Sequence, residues 1–270
     1  MRLTMMPPKT LLVAALLASV WMAASQAAIG GDAIPVGFEV MYDVQYSGAR
    51  IAETTFSLRP QRDSAMFELR SVTEPRGLAA LIRYGDVVEE SHFRVVASEA
   101  IPVDYRFADG TRKGKRNSSI FFDWSEGSAQ STYKNEDASL DLAGGEVDRL
   151  MLQWQIMRDL AHDQLPESYR VIDRNGLKEY AITRQGEELL STSAGTFRTL
   201  KLRRQRAGSS RATLIWAAVE HGYLPVKMIQ MVDEKPNVVL QVSAIRWGGG
   251  TPADKPEAEM AGAAEDTSAN

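Results

Sequence analysis

The sequence predicts a mainly β fold: an antiparallel curved sheet, an open or half barrel, with one central amphipathic helix packed in its concavity. Three observations predict it. Apolar and polar residues alternate with period two in segment after segment between Phe38 and Ile245. The breaks between those segments are short and rich in turn residues. One stretch alone, Glu146 to His162, repeats its apolar residues at three- and four-residue steps over its whole length. Its stripe needs a surface to lie on, and the concave face of the sheet is the obvious one. A two-sheet sandwich and a closed barrel with the helix outside remain as alternatives.

The elements follow in order. Met1 to Thr10 carries Arg2 and Lys9 and no acid, Leu11 to Ala24 is almost continuously apolar, and Ser25-Gln26-Ala27 places small residues before a cut. That three-part pattern is a secretory signal peptide, residues 1–27, with cleavage expected after Ala27; the apolar run is short for a membrane span. A loop from Ile29 to Pro35 leads to Phe38, Val40, Tyr42, Val44 and Tyr46, which alternate with polar residues. The turn Ser47-Gly48 then returns the chain as Ile51 to Leu58, making a hairpin. Strands are read at Met66 to Val72, Val87 to Val96, Ile101 to Phe107, Ser118 to Trp124 and Ser131 to Tyr133, with a short helical segment at Gly77 to Arg83.

The helix follows, with Val147, Leu150, Met151, Trp154, Met157 and Ala161 as its stripe. Glu146 and Asp148 in its first turn, and Arg158 and His162 in its last, suit the helix dipole. Further strands are read at Tyr169 to Ile172, Lys178 to Thr183, Thr199 to Arg204, Ala212 to Val219, Pro225 to Val232 and Val238 to Ile245; Pro225 opens its strand, a tolerated position. A single β-rich domain over 36–246 results. Residues 248–270 are Gly-, Ala-, Pro- and acid-rich and bury too little to order themselves, so they read as a disordered acidic tail.

Composition narrows function. The chain has 270 residues, no cysteine and a net charge of −4, which becomes −6 once Arg2 and Lys9 leave with the leader. Without cysteine there is no disulfide, thiol chemistry, cysteine-based metal site or lipid attachment at a cysteine. A mildly acidic chain has no general attraction for nucleic acid. His92, His162 and His221 fall on a strand, a helix end and a loop, without metal-ligand spacing, and no metal or cofactor is expected. No phosphate loop, dinucleotide fingerprint or nucleophile elbow occurs.

In Glu89-Glu90-Ser91-His92, strand alternation puts Glu89 and Ser91 on one face and Glu90 and His92 on the other. If a polar group is functional, Glu90 and His92, with Arg76 from the preceding turn, are the candidates. Arg112-Lys113-Gly114-Lys115-Arg116 reads as a charged hairpin tip, and Lys201, Arg203, Arg204 and Arg206 as a solvated strand face. Met41, Met66, Met151, Met157, Met228 and Met231 fall at core or near-core positions, where methionine can fill a core or line an adaptable cavity.

Several stretches, taken in this order and spacing, resemble a family of exported bacterial proteins known as domain of unknown function 3108 (DUF3108). They are Gly37-Phe38-Glu39-Val40-Met41-Tyr42, Glu74-Pro75-Arg76-Gly77-Leu78, Glu90-Ser91-His92-Phe93, Asp148-Arg149-Leu150, Gly195 to Lys201, Leu214-Ile215-Trp216 and Tyr223 to Lys227. The resemblance spans residues 36 to 246 and implies a Gram-negative envelope protein, mostly antiparallel β; it supplies no catalytic residues. The strand-rich shape around a helix is also similar, in architecture only, to periplasmic lipoprotein carriers and their outer-membrane receptor.

The expectation is a periplasmic, non-enzymatic protein that holds a hydrophobic or lipid-like ligand, such as an acyl chain, in the sheet concavity. Met151, Trp154, Met157, Arg76, Glu90 and His92 are the expected ligand-binding residues. The rivals are an envelope assembly factor that contacts other proteins and encloses nothing, and a hydrolase at Arg76, Glu90 and His92.

Overall fold

The computed structural model describes residues 37–248 apart from 62–64, 78–79, 81–84 and 97–98. The leader, the loop to Pro35, most of the Gly77 to Arg83 segment and the tail beyond Gly248 lie outside the described residues.

Before the helix run eight strands: β1 (Phe38–Tyr46), β2 (Ala49–Pro60), β3 (Met66–Pro75), β4 (Val87–Val96), β5 (Glu99–Ala108), β6 (Ser118–Asp123), β7 (Ser128–Tyr133) and β8 (Glu136–Asp141). A two-residue strand, β9 (Val147–Asp148), leads into the helix α1 (Met151–Ala161). Then come β10 (Ser168–Ile172), β11 (Leu177–Thr192), β12 (Gly195–Gln205), β13 (Arg211–Ala218), β14 (Leu224–Val232) and β15 (Lys235–Trp247). All fifteen join in one sheet, ordered 8-7-6-5-4-3-2-1-15-14-13-12-11-10-9. Every pairing is antiparallel except β9 with β10. The chain thus meanders outward in both directions from the β1–β15 seam, where Val40 faces Ile245 and Val44 faces Leu240.

The sheet curls without closing into a barrel. Its two ends approach through side chains: Asn175, in the β10–β11 turn, donates to the Glu136 carbonyl at 2.8 Å and accepts from the Ser131 hydroxyl at 3.0 Å. β8 carries the acidic sequence EDASLD on the sheet's edge, a composition that discourages further strand addition.

The expected alternation holds on β1, where Phe38, Val40, Tyr42 and Val44 are buried and the residues between them less so. The expected single stripe on the helix does not hold. Met151, Leu152, Trp154, Ile156, Met157 and Leu160 are all buried and point around the whole circumference, while Ala161 is exposed. A helix covered on all sides is a core element rather than a lid over the sheet.

The helix also starts later than its periodicity suggests, because Glu146 lies outside it and Val147 and Asp148 form β9. Strand β11 runs on to Thr192 instead of stopping near Thr183. Its polar Arg184 to Glu188 stretch passes through a register shift at Gly186, whose φ of +101° suits glycine. β8 goes unread in the sequence because it buries almost nothing.

Candidate functional site

The turn that enters the helix is built around a buried acid. Asp148 is fully buried, and its Oδ1 accepts from the backbone N–H groups of Leu150 (2.9 Å) and Met151 (2.8 Å). Those are the bonds of an N-cap, so Asp148 terminates the helix even though it is not in its first turn. Its Oδ2 accepts from the Ser91 hydroxyl on β4 at 2.6 Å. Burial, opposed by these three hydrogen bonds, pushes the Asp148 carboxyl up to about 6.

Next to it, Arg149 forms a two-pronged pair with Glu89 at 2.9 and 2.5 Å and lies over the Phe107 ring at 4.5 Å. Glu89 also accepts from the Tyr105 hydroxyl at 3.1 Å. Burial alone would lower the Arg149 guanidinium, but Glu89 outweighs it and holds the charge in place. Asp148-Arg149 on one side and Glu89-Ser91 on the other therefore clamp the helix entrance to β4 and β5.

The inward pair on β4 is thus Glu89 and Ser91. Glu90 and His92 face the outer surface: Glu90 pairs with Arg70 at 2.9 Å, and His92 sits between Asp104 (3.0 Å) and Glu68 (3.6 Å) on the flanking strands. Arg76 lies beyond the end of β3 and pairs with Glu74 (2.8 Å) and Glu53 (3.6 Å), not with Glu90 or His92. The three polar candidates do not converge. Met151, Trp154 and Met157 are packed into the core, with the Trp154 ring 4.7 Å from that of Phe93. His162 caps the helix C-terminus and His221 stacks on Trp247, so the histidines share no site. Among the described residues no group of three or more acidic or histidine side chains could hold a metal ion.

A cavity of about 590 Å³ opens instead beside the start of the helix. Its apolar lining comes from Tyr42 and Phe56 on β1 and β2, Leu150 and Leu152 at the helix entrance, and Met228 and Leu240 on β14 and β15. Tyr42 is anchored by its hydroxyl, which donates to the Pro225 carbonyl at 2.7 Å. The rest of the lining mixes neutral groups, among them Thr54, Ser71, Gln153, Thr213 and Gln230, with charged ones. Arg149, Arg174, Lys178, Arg204, Arg206 and Arg211 face two carboxylates, Glu89 and Asp173. A chain that is acidic overall therefore concentrates cations around one cavity.

Here the sequence reading of the second basic cluster needs correcting. Lys201 and Arg203 face outward, Lys201 over the Trp216 ring and Arg203 onto Glu234, but Arg204 and Arg206 line the cavity. Arg204 is in phase with buried Leu202, an alternation that marks it as inward. Gln153 is the other residue the sequence did not flag; its side-chain nitrogen is buried without a hydrogen-bond partner. The first basic cluster sits, as expected, on the β5–β6 connection. There Asp109 holds the loop by accepting from Thr111 and the Arg116 backbone.

A search of curated proteins returns no significant match. Among solved structures, a β-barrel-like protein of the unknown-function domain DUF1849 from Brucella abortus is similar over 81% of this chain and all of its own, at 7% identity and a TM-score of 0.52. Proteins described as a candidate lipoprotein from Parabacteroides distasonis (12% identity, 78% and 95% coverage) and as a candidate exported protein with a YmcC-like fold from Bacteroides fragilis (10%, 77% and 95%) reach TM-scores of 0.32 and 0.33. The first likeness speaks to the fold alone, and the other two are too distant to do even that. The family profile of DUF3108, proteins of unknown function, matches residues 41–234, which carry the clamp and most of the cavity lining, and the chain belongs to that family.

Proposed function

We propose that this protein is an exported, non-enzymatic binding protein of the bacterial envelope that holds a lipid-like ligand between its curved sheet and the start of its helix. The observation that carries the reading is the cavity of about 590 Å³. Its volume is in the range of small-molecule sites, which are commonly lined by apolar groups with a few placed polar ones. Its apolar lining residues suit a chain, and the two methionines on β14, Met228 and Met231, can repack around guests of different shape. The ligand sits beside Leu150 and Leu152, not under Met151, Trp154 and Met157, which are occupied by the core. Export to the periplasm is supported by the leader at residues 1–27.

The test is untargeted mass spectrometry of lipids that co-purify with the protein from envelope extracts, with uptake of a fluorescent fatty acid as its complement. One recurring lipid class at near-stoichiometric amount is the expected result. A protein that carries no lipid and takes up no probe overturns the reading and leaves the assembly-factor alternative.

A further inference from the structure

We propose that the cavity contains an anion subsite, formed by Arg204, Gln153 and Arg206, that binds the carboxylate or phosphate head of the ligand. The inference deepens the lipid-binding reading and rests on it only for the source of the anion.

Four observations carry it. Arg204 projects inward from β12, next to Tyr180, whose ring is 5.7 Å from the guanidinium carbon. Its one hydrogen bond is a long one, 3.3 Å to the Thr213 hydroxyl, and no described carboxylate lies within 4.0 Å of it. It also faces Arg149, a like charge already committed to Glu89. A partly buried guanidinium without a counter-charge is unfavourable, and Arg is well suited to the planar oxygens of carboxylate and phosphate.

Gln153 sits in the first turn of the helix and, like Arg149 in the turn before it, lines the cavity. Its buried nitrogen has no partner among the described residues, and a buried donor is rarely left unmet. Arg206, two residues beyond Arg204 and on the same face, lies at the exposed margin of the same cavity and has no described ion pair.

The experiment compares cis-parinaric acid, its methyl ester and inorganic phosphate on the purified protein, followed by probe fluorescence and calorimetry. The wild type should bind the acid on the order of tenfold or more tightly than the ester, the scale of one charged hydrogen-bonding contact. Arg204→Met should bring the acid down to the level of the ester and leave the ester unchanged, and Arg204→Lys should restore part of the difference. Gln153→Leu should weaken binding of the acid while raising the melting temperature of the empty protein, because it removes an unpaired donor. That variant keeps the test alive if Arg204→Met does not fold.

If acid and ester bind alike, and neither Arg204→Met nor Gln153→Leu changes this, the subsite is overturned and the lipid reading stands. If only phosphate binds, and Arg204→Met abolishes it, the subsite stands with a free anion as its ligand and the lipid reading falls. If none of the three probes binds, both are overturned.

Discussion

Asp148 is the residue on which the helix entrance turns. It caps two backbone donors and receives the Ser91 hydroxyl while fully buried, so it replaces water with three hydrogen bonds. Asp148→Ala leaves all three donors without that acceptor, and should cost about 2–4 kcal/mol from the lost cap and the unpaired buried hydroxyl. Denaturant titration measures it, and a loss below about 1 kcal/mol would show that the clamp does not hold the helix.

The pH dependence has an unusual sign. Burial raises the Asp148 carboxyl from 3.8 to about 6, so between those values the folded state holds a proton that the unfolded chain has released. This residue's contribution is therefore fully present below the unfolded value and is lost as pH rises through about 6. Asp148→Asn keeps an acceptor for the two backbone donors and removes the ionisation. Its stability should be flatter than wild type between pH 4 and 6, and equal slopes in the two proteins would exclude Asp148 as the group responsible.

At the scale of elements, the helix is the piece whose role changes most between pattern and structure. Its six buried residues, from Met151 to Leu160, surround its axis, so the sheet wraps it instead of offering it one face. Trp154 is the largest fully buried side chain and lies against Phe93. Trp154→Ala should cost about 3–5 kcal/mol, the range for deleting a large core side chain, and lower the melting temperature accordingly. A change of less than about 1 kcal/mol would mean that the helix packs loosely enough to act as a movable cover.

The β5–β6 connection has its own local requirement. Gly110 has a φ of +66°, and a Cβ there would come 2.5 Å from the Gly85 carbonyl oxygen. Gly110→Ala is therefore expected to destabilise by about 1–3 kcal/mol through backbone strain and displacement of that segment. A variant with wild-type stability would show that the loop relaxes freely.

Over the whole molecule, one sheet of fifteen strands is held in a curl that no backbone ladder closes. The Asn175 bonds to Glu136 and Ser131 link the region of β10 to that of β7 and β8, and the Arg149–Glu89 pair ties the helix entrance to β4, the fifth strand from the β8 edge. Asn175→Ala should cost only about 1 kcal/mol globally, since its bonds are partly exposed, yet speed hydrogen exchange in β7 and β8 selectively. Unchanged exchange there would show that the sheet ends are held by packing alone.

Most of the strand plan was legible in the sequence, because period two needs only the neighbouring residues. Phe38 to Tyr46 and Val87 to Val96 were read with their observed limits. The helix after β9 and the open curved sheet were legible for the same reason: burial imposes a local rhythm on the chain. The limits that failed are those where local rhythm carries little information. β8 buries almost nothing, β11 continues through a polar bulge, and Glu146 to Asp148 are buried but extended. The cavity was not legible at all. It depends on which inward side chains of distant strands meet, and only the curl of the sheet brings Arg204 of β12 to face Arg149 at the helix entrance and to share a cavity with Gln153. Glu90 and His92 had the more familiar chemistry in the sequence, but the side on which the sheet closes around the helix sent them outward and turned Glu89 and Ser91 in. A strand's two faces are equivalent until packing chooses between them, and that choice belongs to the tertiary structure.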